Sequence, residues 1–458
     1  MKFNNSRAAL AVAASLVATA AHADFQAALK EYNAGHYDVA HAQFLALAEL
    51  GDCSSQFNLA AMALQGQGGP KDPGSGVGWL QAAAGNGCEQ LVGRKVAALQ
   101  AKLSTDEQHA AADIVAHYGR DALQAQGVIS PDFSCRGLTA ASVQTSPTPE
   151  YPRLAGPAPE RAVVISELTI GRDGRARDPE ILLAVPASGF AAAAVESWLN
   201  TSFTPAMRGG SAVESRLQAK LVFTQVAGAL ADTDTYKAVR QRADAGDAEA
   251  QYVLGLTATL DPSLGISYTR AGQLLLGSAR DGEVRAQYWV GSQLHASSSC
   301  HPQASGAIWL QHAAAGGDAA AQLTLARDLL GANPSGAQLT QVRALLERAA
   351  GSDSFYVRKH VVALLAAAPQ DAVRDSATAL ALAGKLAAGE IQSDPQMFEA
   401  MGAAYAASGD FSNAARQQQV AIRKARTLGW DTRAMAQRLA SYQHDQPWHG
   451  DLFAPPAG

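Results

Sequence analysis

The sequence predicts a mostly α-helical protein in which two arms of helical repeats flank a small α+β domain. Three observations lead to this prediction. Alanine-rich segments with helical periodicity fill most of the 458 residues. A ten-residue pattern that begins with glycine recurs at positions 246, 282 and 317, as expected of stacked structural repeats. Only residues 147–225 contain short segments of β-prone residues.

The chain begins with the features of a secretory signal peptide over residues 1–23. Lys2 and Arg7 precede the apolar segment Ala8–Ala21, and the Ala-His-Ala that follows is a small-x-small cleavage pattern. The apolar segment is about 14 residues long, shorter than the ~20 that a permanent bilayer anchor needs. We therefore expect export to the periplasm, cleavage and no stable membrane anchor. An uncleaved segment would instead tether the protein.

Charge and motif content narrow the classes of function. Cleavage removes Lys2 and Arg7, so the formal charge falls from −5 to −7, which disfavours nucleic acid as a partner. The eleven histidines and four cysteines form no His-Glu-x-x-His or Cys-x-x-Cys spacing, and the chain has no Gly-x-Ser-x-Gly sequence. We expect no metal, no cofactor and no enzymatic activity.

Residues 24–125 have the pattern of the first repeat arm. Small Ala and Gly residues allow paired helices to approach closely, Gly66 and Gly68 permit a tight turn, and Trp79 fills the space between neighbouring pairs. This arrangement resembles the Sel-like repeat, a relative of the tetratricopeptide repeat. The resemblance implies a solenoid of helix pairs.

The end of the first arm and the connection to the next domain are marked by local signals. Ser104, with Glu107 three residues later, predicts a capping box at the start of a closing helix. Residues 126–146 are rich in Ser, Thr, Gly and Pro, which predicts a linker.

Residues 147–226 are predicted to form the α+β domain. Asp173 and Gly174 tolerate positive φ and predict a turn after the first strand. The predicted order is strand, strand, helix, strand, over Ala162–Ile170, Ile181–Val185, Phe190–Leu199 and Arg216–Thr224. One helix then covers one face of the sheet.

This domain resembles the C-terminal domain of TonB, the energy transducer of the bacterial periplasm. The family's start, hairpin turn, helix and Phe-x-Pro-Ala exit are matched by Tyr151, Pro152, Ala155, Asp173, Gly174, Ala194, Phe203, Pro205 and Ala206. Two positions depart from the family pattern. Arg161 and Ala162 stand where a glycine is usual, and Thr201 replaces an aromatic residue whose volume Trp198 can refill.

The resemblance implies that the domain binds an extended peptide, the plug-side segment of an outer-membrane receptor, along the edge of its sheet. An open edge strand offers backbone donors and acceptors that a guest strand satisfies. The resemblance places that edge on the closing strand, at Gln218, Lys220, Val222 and Thr224.

The second repeat arm covers residues 232–390 and uses the same Sel-like pattern. Residues 394–446 resemble a tetratricopeptide unit, and residues 447–458 are expected to be a disordered tail. Tyr252, Tyr288 and Trp289 lie on the first helices of successive pairs. They are either recognition anchors on a concave surface or, as we favour, packing between helices.

The four cysteines of this exported chain predict structural disulfides. Three connectivities are possible. Cys53 and Cys88 open the first helices of successive repeats, which a solenoid places side by side, so this pair is favoured. Cys135 and Cys300 then remain as the second pair.

The sequence as a whole predicts a non-enzymatic, protein-binding adaptor that engages an envelope protein through the central sheet edge or the concave repeat surfaces. Its partner would be a TonB-dependent outer-membrane receptor, and its role could extend to energy-dependent uptake. The alternative is a scaffold in which the repeats select an envelope protein and the central domain is only structural.

Overall fold

The computed structural model describes residues 25–453 apart from residues 94, 132, 134–136, 154–160, 188, 226–232 and 297–305. The expected signal peptide and the expected disulfide between Cys135 and Cys300 lie outside the described residues. Within the described part of the chain, no helix combines the length and the apolar character needed to cross a bilayer.

The first arm is a stack of antiparallel helices. They are α1 (Phe25–Asn33), α2 (Tyr37–Glu49), α3 (Cys53–Gln65), α4 (Pro73–Ala83), α5 (Glu89–Val92), α6 (Lys95–Gln100), α7 (Thr105–Tyr118) and α8 (Arg120–Ala125), with a π-helical turn at Ala84–Cys88. The predicted capping box is present, with Ser104 bonded to the third residue of α7 and Glu107 bonded back to Ser104. Gly119 separates α7 from α8, where one closing helix was expected.

The central domain contains every predicted element. Its strands and helix are β1 (Leu138–Thr139), β2 (Ser142–Thr145), β3 (Arg161–Ile170), β4 (Ala176–Val185), α9 (Ala191–Leu199), β5 (Ser202–Thr204), β6 (Ala206–Arg208), β7 (Ser211–Val213) and β8 (Ser215–Thr224). The main sheet is antiparallel with the order β4-β3-β8. Strands β1 and β2 lie in the stretch expected to be linker, and they pair with β6 and β5.

One face of the main sheet packs on α9. Phe190, Trp198 and Phe223 are buried there together with Val164 and Leu221. The Trp198 indole fills the space beside Thr201 and donates its Nε1 hydrogen to Ser166 Oγ at 3.1 Å. Trp198 thus belongs to the buried core between α9 and the sheet, and its replacement of an aromatic residue at position 201 stays a prediction.

The second arm and the tetratricopeptide-like unit after it continue the helical stack. The arm consists of α10 (Asp234–Asp244), α11 (Ala248–Leu260), α12 (Tyr268–Arg280), α13 (Val284–Ala296), α14 (Ala307–Ala315), α15 (Ala319–Gly331), α16 (Gly336–Ala349), α17 (Phe355–Ala367) and α18 (Ser376–Ala387), and the unit after it consists of α19 (Pro395–Ala407), α20 (Phe411–Thr427) and α21 (Arg433–Gln443). A 3₁₀ turn at Pro262–Leu264 joins α11 to the loop before α12.

The recurrent Gly-Asp pattern has a local cause. Gly246 and Gly317 lie at φ +90° and +97° after a helix, a backbone region that favours glycine. Asp247 and Asp318 then cap the next helix by accepting a backbone N–H three residues later. The pattern therefore marks a helix end followed at once by a helix start.

The two arms and the chain end pack together. Leu50 and Leu123 of the first arm, together with Ile129 just after it, share one apolar core with helices α11 to α14. Residues 447–453 were expected to belong to a disordered tail, but Leu452 is buried on the second arm and Gly450 N donates to Ala367 O at 2.7 Å. The apolar side chains in this segment explain why it packs against the helices.

Candidate functional site

Strand β8 forms one edge of the main sheet, and its backbone orientation can be derived from the hairpin. Gly171 N donates to Arg175 O at 3.0 Å, so the odd-numbered residues of β3 direct their backbone groups toward β4. Both register shifts between β3 and β4 place the extra residue on β4, while β3 and β8 pair in unbroken register. The even-numbered residues of β3 therefore bond to β8.

In this register, Ile165 lies opposite Lys220 and Glu167 lies opposite Gln218. The even-numbered residues of β8 consequently direct their N–H and C=O groups away from β3, toward the outer side of the sheet. Among the residues that the structure describes, no strand pairs with this side. The outward backbone groups belong to Arg216, Gln218, Lys220 and Val222, three of which the sequence resemblance had indicated; Thr224, the fourth, ends the strand opposite Arg161.

The side chains of these β8 residues face the second arm. Gln218 Oε1 accepts a hydrogen bond from Trp289 Nε1 at 3.2 Å, and Lys220 Nζ forms an ion pair with Asp261 at 2.7 Å. Val222 packs against the apolar core that joins the two arms. The same residues thus offer backbone groups to the outside and use their side chains inside the molecule.

The aromatic residues on the first helices of the repeat pairs bind the central sheet. Tyr252 and Tyr288 are buried. The Tyr252 hydroxyl donates to Leu182 O at 3.1 Å, and the Tyr288 hydroxyl donates to Glu180 at 2.9 Å. The helices of the second arm that carry Tyr252 and Tyr288 therefore pack on the sheet face of the central domain.

The two irregularities of β4 match these contacts. One extra residue is Leu182, the residue whose carbonyl accepts the Tyr252 hydroxyl. The other lies at Asp178, which has φ +54° and precedes Pro179. This bulge directs the Asp178 carboxylate into α17, where Lys359 Nζ lies at 2.9 Å and His360 Nε2 at 2.7 Å.

Lys359 is the centre of a buried ion cluster between the central domain and the second arm. Its side chain is 0% exposed and also contacts Asp394, at 2.8 Å, the capping residue of α19. Burial disfavours the charge, but the fields of Asp178 and Asp394 outweigh it and raise the pKa of Lys359. Burial lowers the pKa of His360, so its neutral ring donates Nε2–H to Asp178.

A second charged cluster lies on the sheet face near the start of β8. Arg216 forms an ion pair with Glu167 and lies 3.5 Å from Glu180, and Gln293 donates to Glu167 at 2.8 Å. Burial raises the pKa of Glu180 to about 8. Repulsion by Glu167 acts in the same direction, and the attraction of Arg216 opposes both effects without cancelling them. One cation shared by two buried carboxylates leaves Glu180 protonated at neutral pH.

The Cys53–Cys88 disulfide is present, with the Cα atoms 5.6 Å apart. It joins the start of α3 to the end of the π-helical turn, as the prediction for successive repeats required.

Sequence reasoning did not find the ion cluster. Lys359 and His360 carry no motif, and their partner Asp178 lies far away in the chain. The glutamine that recurs in the repeat pattern was a usable sequence signal for a different feature, a buried polar contact between the helices of a repeat. Gln287 and Gln322 each donate to a backbone carbonyl eight residues earlier.

Comparison with known proteins identifies the central domain. Residues 147–224 match the profile of the family described as Gram-negative bacterial TonB protein C-terminal. The predicted resemblance is confirmed, and the chain carries a domain of an envelope-protein family between arms of helical repeats. A search of curated proteins found no match.

Two solved structures have similar chains. One is a Sel1 repeat protein from Oxalobacter formigenes, at 21% identity and a TM-score of 0.28 over 47% of this chain and 62% of that one. The other is c5321, a protective antigen present in uropathogenic Escherichia coli strains displaying an SLR fold, at 15% identity and a TM-score of 0.28 over 92% of this chain and 84% of that one. The chain thus spans less than two thirds of the length of the Oxalobacter protein.

Proposed function

We propose that this protein is a non-enzymatic adaptor of the periplasm, and that its central domain binds an extended segment of an envelope protein along the outer side of β8. The observation that carries the proposal is that both faces of the main sheet are covered by helices, whereas no described strand pairs with the outer side of β8. One face packs on α9 and the other packs on the second repeat arm. The outer side of β8 remains for a partner.

The chemistry of this edge suits a guest strand. Gln218, Lys220 and Val222 direct backbone donors and acceptors outward, and a guest strand satisfies such groups in an alternating pattern. Side-chain contacts to Trp289 and Asp261 hold β8 in place. A strand that is already ordered loses little conformational entropy when it binds.

The proposal also names the kind of partner. The family of the central domain favours an outer-membrane receptor and, with it, a role in uptake. A predicted signal peptide supports a periplasmic location. Binding of the partner without force transmission is the simpler function that we propose.

A second candidate function follows from the contacts of Tyr252 and Tyr288. Because the second arm grips the sheet face, the central domain could be a fixed structural part of a repeat scaffold. The first arm would then select the envelope protein, and β8 would play no part.

A proline at Val222 separates these two functions. The backbone N–H of Val222 points outward. Val222→Pro therefore removes a donor that the guest strand would use, but it removes no hydrogen bond between β8 and β3. Val222→Ala is the matched control, because it shortens the side chain and keeps the N–H. Full-length protein of each kind would be used for affinity capture from crosslinked cell envelopes, with partners identified by mass spectrometry.

The adaptor proposal expects Val222→Ala to capture the same outer-membrane proteins as the wild type and Val222→Pro to lose them. Equal capture by both variants would sink the edge proposal and support the scaffold. Leu221→Pro checks the derived orientation, since its N–H points toward Val164 and its loss should destabilise the domain far more than Val222→Pro.

A further inference from the structure

A cleft of about 740 Å³ opens between the central domain and the second arm. Glu167 and Thr169 of β3 form its floor, and Arg208 of β6 and Glu214 form one wall. The opposite wall comes from α13, α15 and α17, with Arg327 on α15 among its residues. The volume is sufficient for several side chains of a peptide.

The cleft lies at the beginning of the proposed binding edge. Ser215 and Arg216, the first residues of β8, line it. A partner strand that pairs with the outer side of β8 and continues past Ser215 therefore enters the cleft. The cleft and the proposed edge thus share Ser215 and Arg216.

Five carboxylates line the cleft, those of Glu167, Asp178, Glu214, Asp328 and Asp451. Glu214 is exposed, whereas the other four have partners, since His295 lies 3.5 Å from Asp328 and the backbone N–H of Phe453 donates to Asp451 at 2.9 Å. Glu167 is held by Arg216 and Gln293. Asp178 is held by Lys359 and His360.

Arg327 differs from these groups. It lines the cleft, its side chain is accessible to solvent, and within the described residues it forms no ion pair or hydrogen bond. An arginine side chain is protonated at any physiological pH, so the guanidinium is cationic, with its five donors available.

We infer that Arg327 binds an acidic side chain of the partner segment, at the end of the segment that enters the cleft beside Ser215. This inference rests on the proposed edge pairing of β8. An arginine fork binds a carboxylate through two parallel hydrogen bonds, which gives both attraction and a fixed geometry. Arg327 is thus a specificity residue: the backbone of β8 accepts any extended segment, and Arg327 selects an acid at one position.

The test is a selection of random ten-residue peptides displayed on phage, with full-length protein immobilised. Four proteins would be compared: wild type, Arg327→Glu, Arg423→Glu and Val222→Pro. Arg423 lies exposed on α20 outside the cleft, so its replacement changes the net charge equally without touching the site. Binding of one selected peptide is then measured by fluorescence anisotropy.

We expect the wild type and Arg423→Glu to select β-prone peptides with Asp or Glu near one end. Arg327→Glu should select Lys or Arg at that same position and bind the acidic peptide at least about tenfold more weakly, the usual effect of losing a charged hydrogen bond. An acid near the carboxyl end would indicate a guest antiparallel to β8, and one near the amino end a parallel guest.

Two failures can be told apart. If Arg327→Glu selects the same acidic peptides as the wild type, the inference about Arg327 is overturned, while loss of selection by Val222→Pro would leave the edge proposal standing. If Val222→Pro selects the wild-type peptides, the edge proposal fails, and an exchange of acid for base in Arg327→Glu would then assign peptide binding to the cleft alone.

Discussion

Replacing Lys359 by methionine tests the attachment of the central domain to the second arm. The Lys359 ammonium is fully buried and contacts two carboxylates, Asp178 on β4 and Asp394 at the start of α19. Asp394 is also fully buried, and the ammonium lies 5.5 Å from the ring centre of Phe355. Methionine keeps most of the volume of the side chain and removes the charge.

The expected cost follows from what the substitution leaves behind. Two carboxylates lose their shared cation, and Asp394 has no access to water. Breaking a buried ion pair on one side costs about 3–5 kcal/mol, because the remaining charge is uncompensated. We expect Lys359→Met to lower the free energy of unfolding by about that amount, measured by urea denaturation.

Two further variants make the result specific. Lys385→Met removes an exposed lysine from α18 and should change stability by less than about 0.5 kcal/mol. Adding Asp178→Asn to Lys359→Met removes one of the orphaned charges, so the double variant should recover part of the loss. A Lys359→Met protein as stable as the Lys385→Met control would refute the view that this cluster holds the domain in place.

Two other predictions concern the first arm and its junction with the second. Replacing Cys53 and Cys88 by serine opens a loop with a sequence separation of 35 and should cost about 4 kcal/mol by loop entropy; thermal unfolding of the first arm unchanged from that of the oxidised wild type would contradict this. Burial and the nearby charge of Asp52 raise the pKa of Asp281 from 3.8 to about 7, against the attraction of Arg280. The folded state therefore binds a proton that the unfolded state has released, and stability should fall as pH rises from about 4 to about 7. Asp281→Asn should flatten this slope in urea titrations at several pH values, and an unchanged slope would assign it to other groups.

The repeat arms and the order of the central elements could be predicted from the sequence, because both depend on local signals. Gly246 followed by Asp247 encodes a helix end and a helix start within two residues. The turn at Asp173 and Gly174 encodes the first hairpin, and Gly174 has φ +69°. Such signals need no knowledge of distant contacts.

The attachment of the sheet to the second arm could not be predicted, because it depends on irregularities that pattern reading does not reveal. Asp178 lies before Ile181–Val185, the segment predicted as the second strand, and its positive φ belongs to the bulge that brings it to Lys359. Tyr252 and Tyr288 were expected to pack between helices. They are buried as expected, but their hydroxyl groups bond to the central domain. Spacing along one chain does not encode which surface a residue meets.

The short strands β1 and β2 were missed for a related reason. They lie in a stretch rich in turn residues, and each obtains its hydrogen bonds from a segment after α9. Strands of this length have little pattern of their own, and their partners determine them.

Strand β3 is covered by α9 on one face of the sheet and by the second arm on the other. This arrangement has a consequence for how the protein can evolve. Val163, Ile165 and Leu183 on one face of the sheet are buried by the second arm. A recombination event that moved residues 147–224 alone into another gene would carry that apolar face into water and leave Glu180 and Asp178 without their partners. Transfer of residues 147–224 alone would therefore cost stability, and we expect the effects of substitutions on the two sides of this contact to depend on each other.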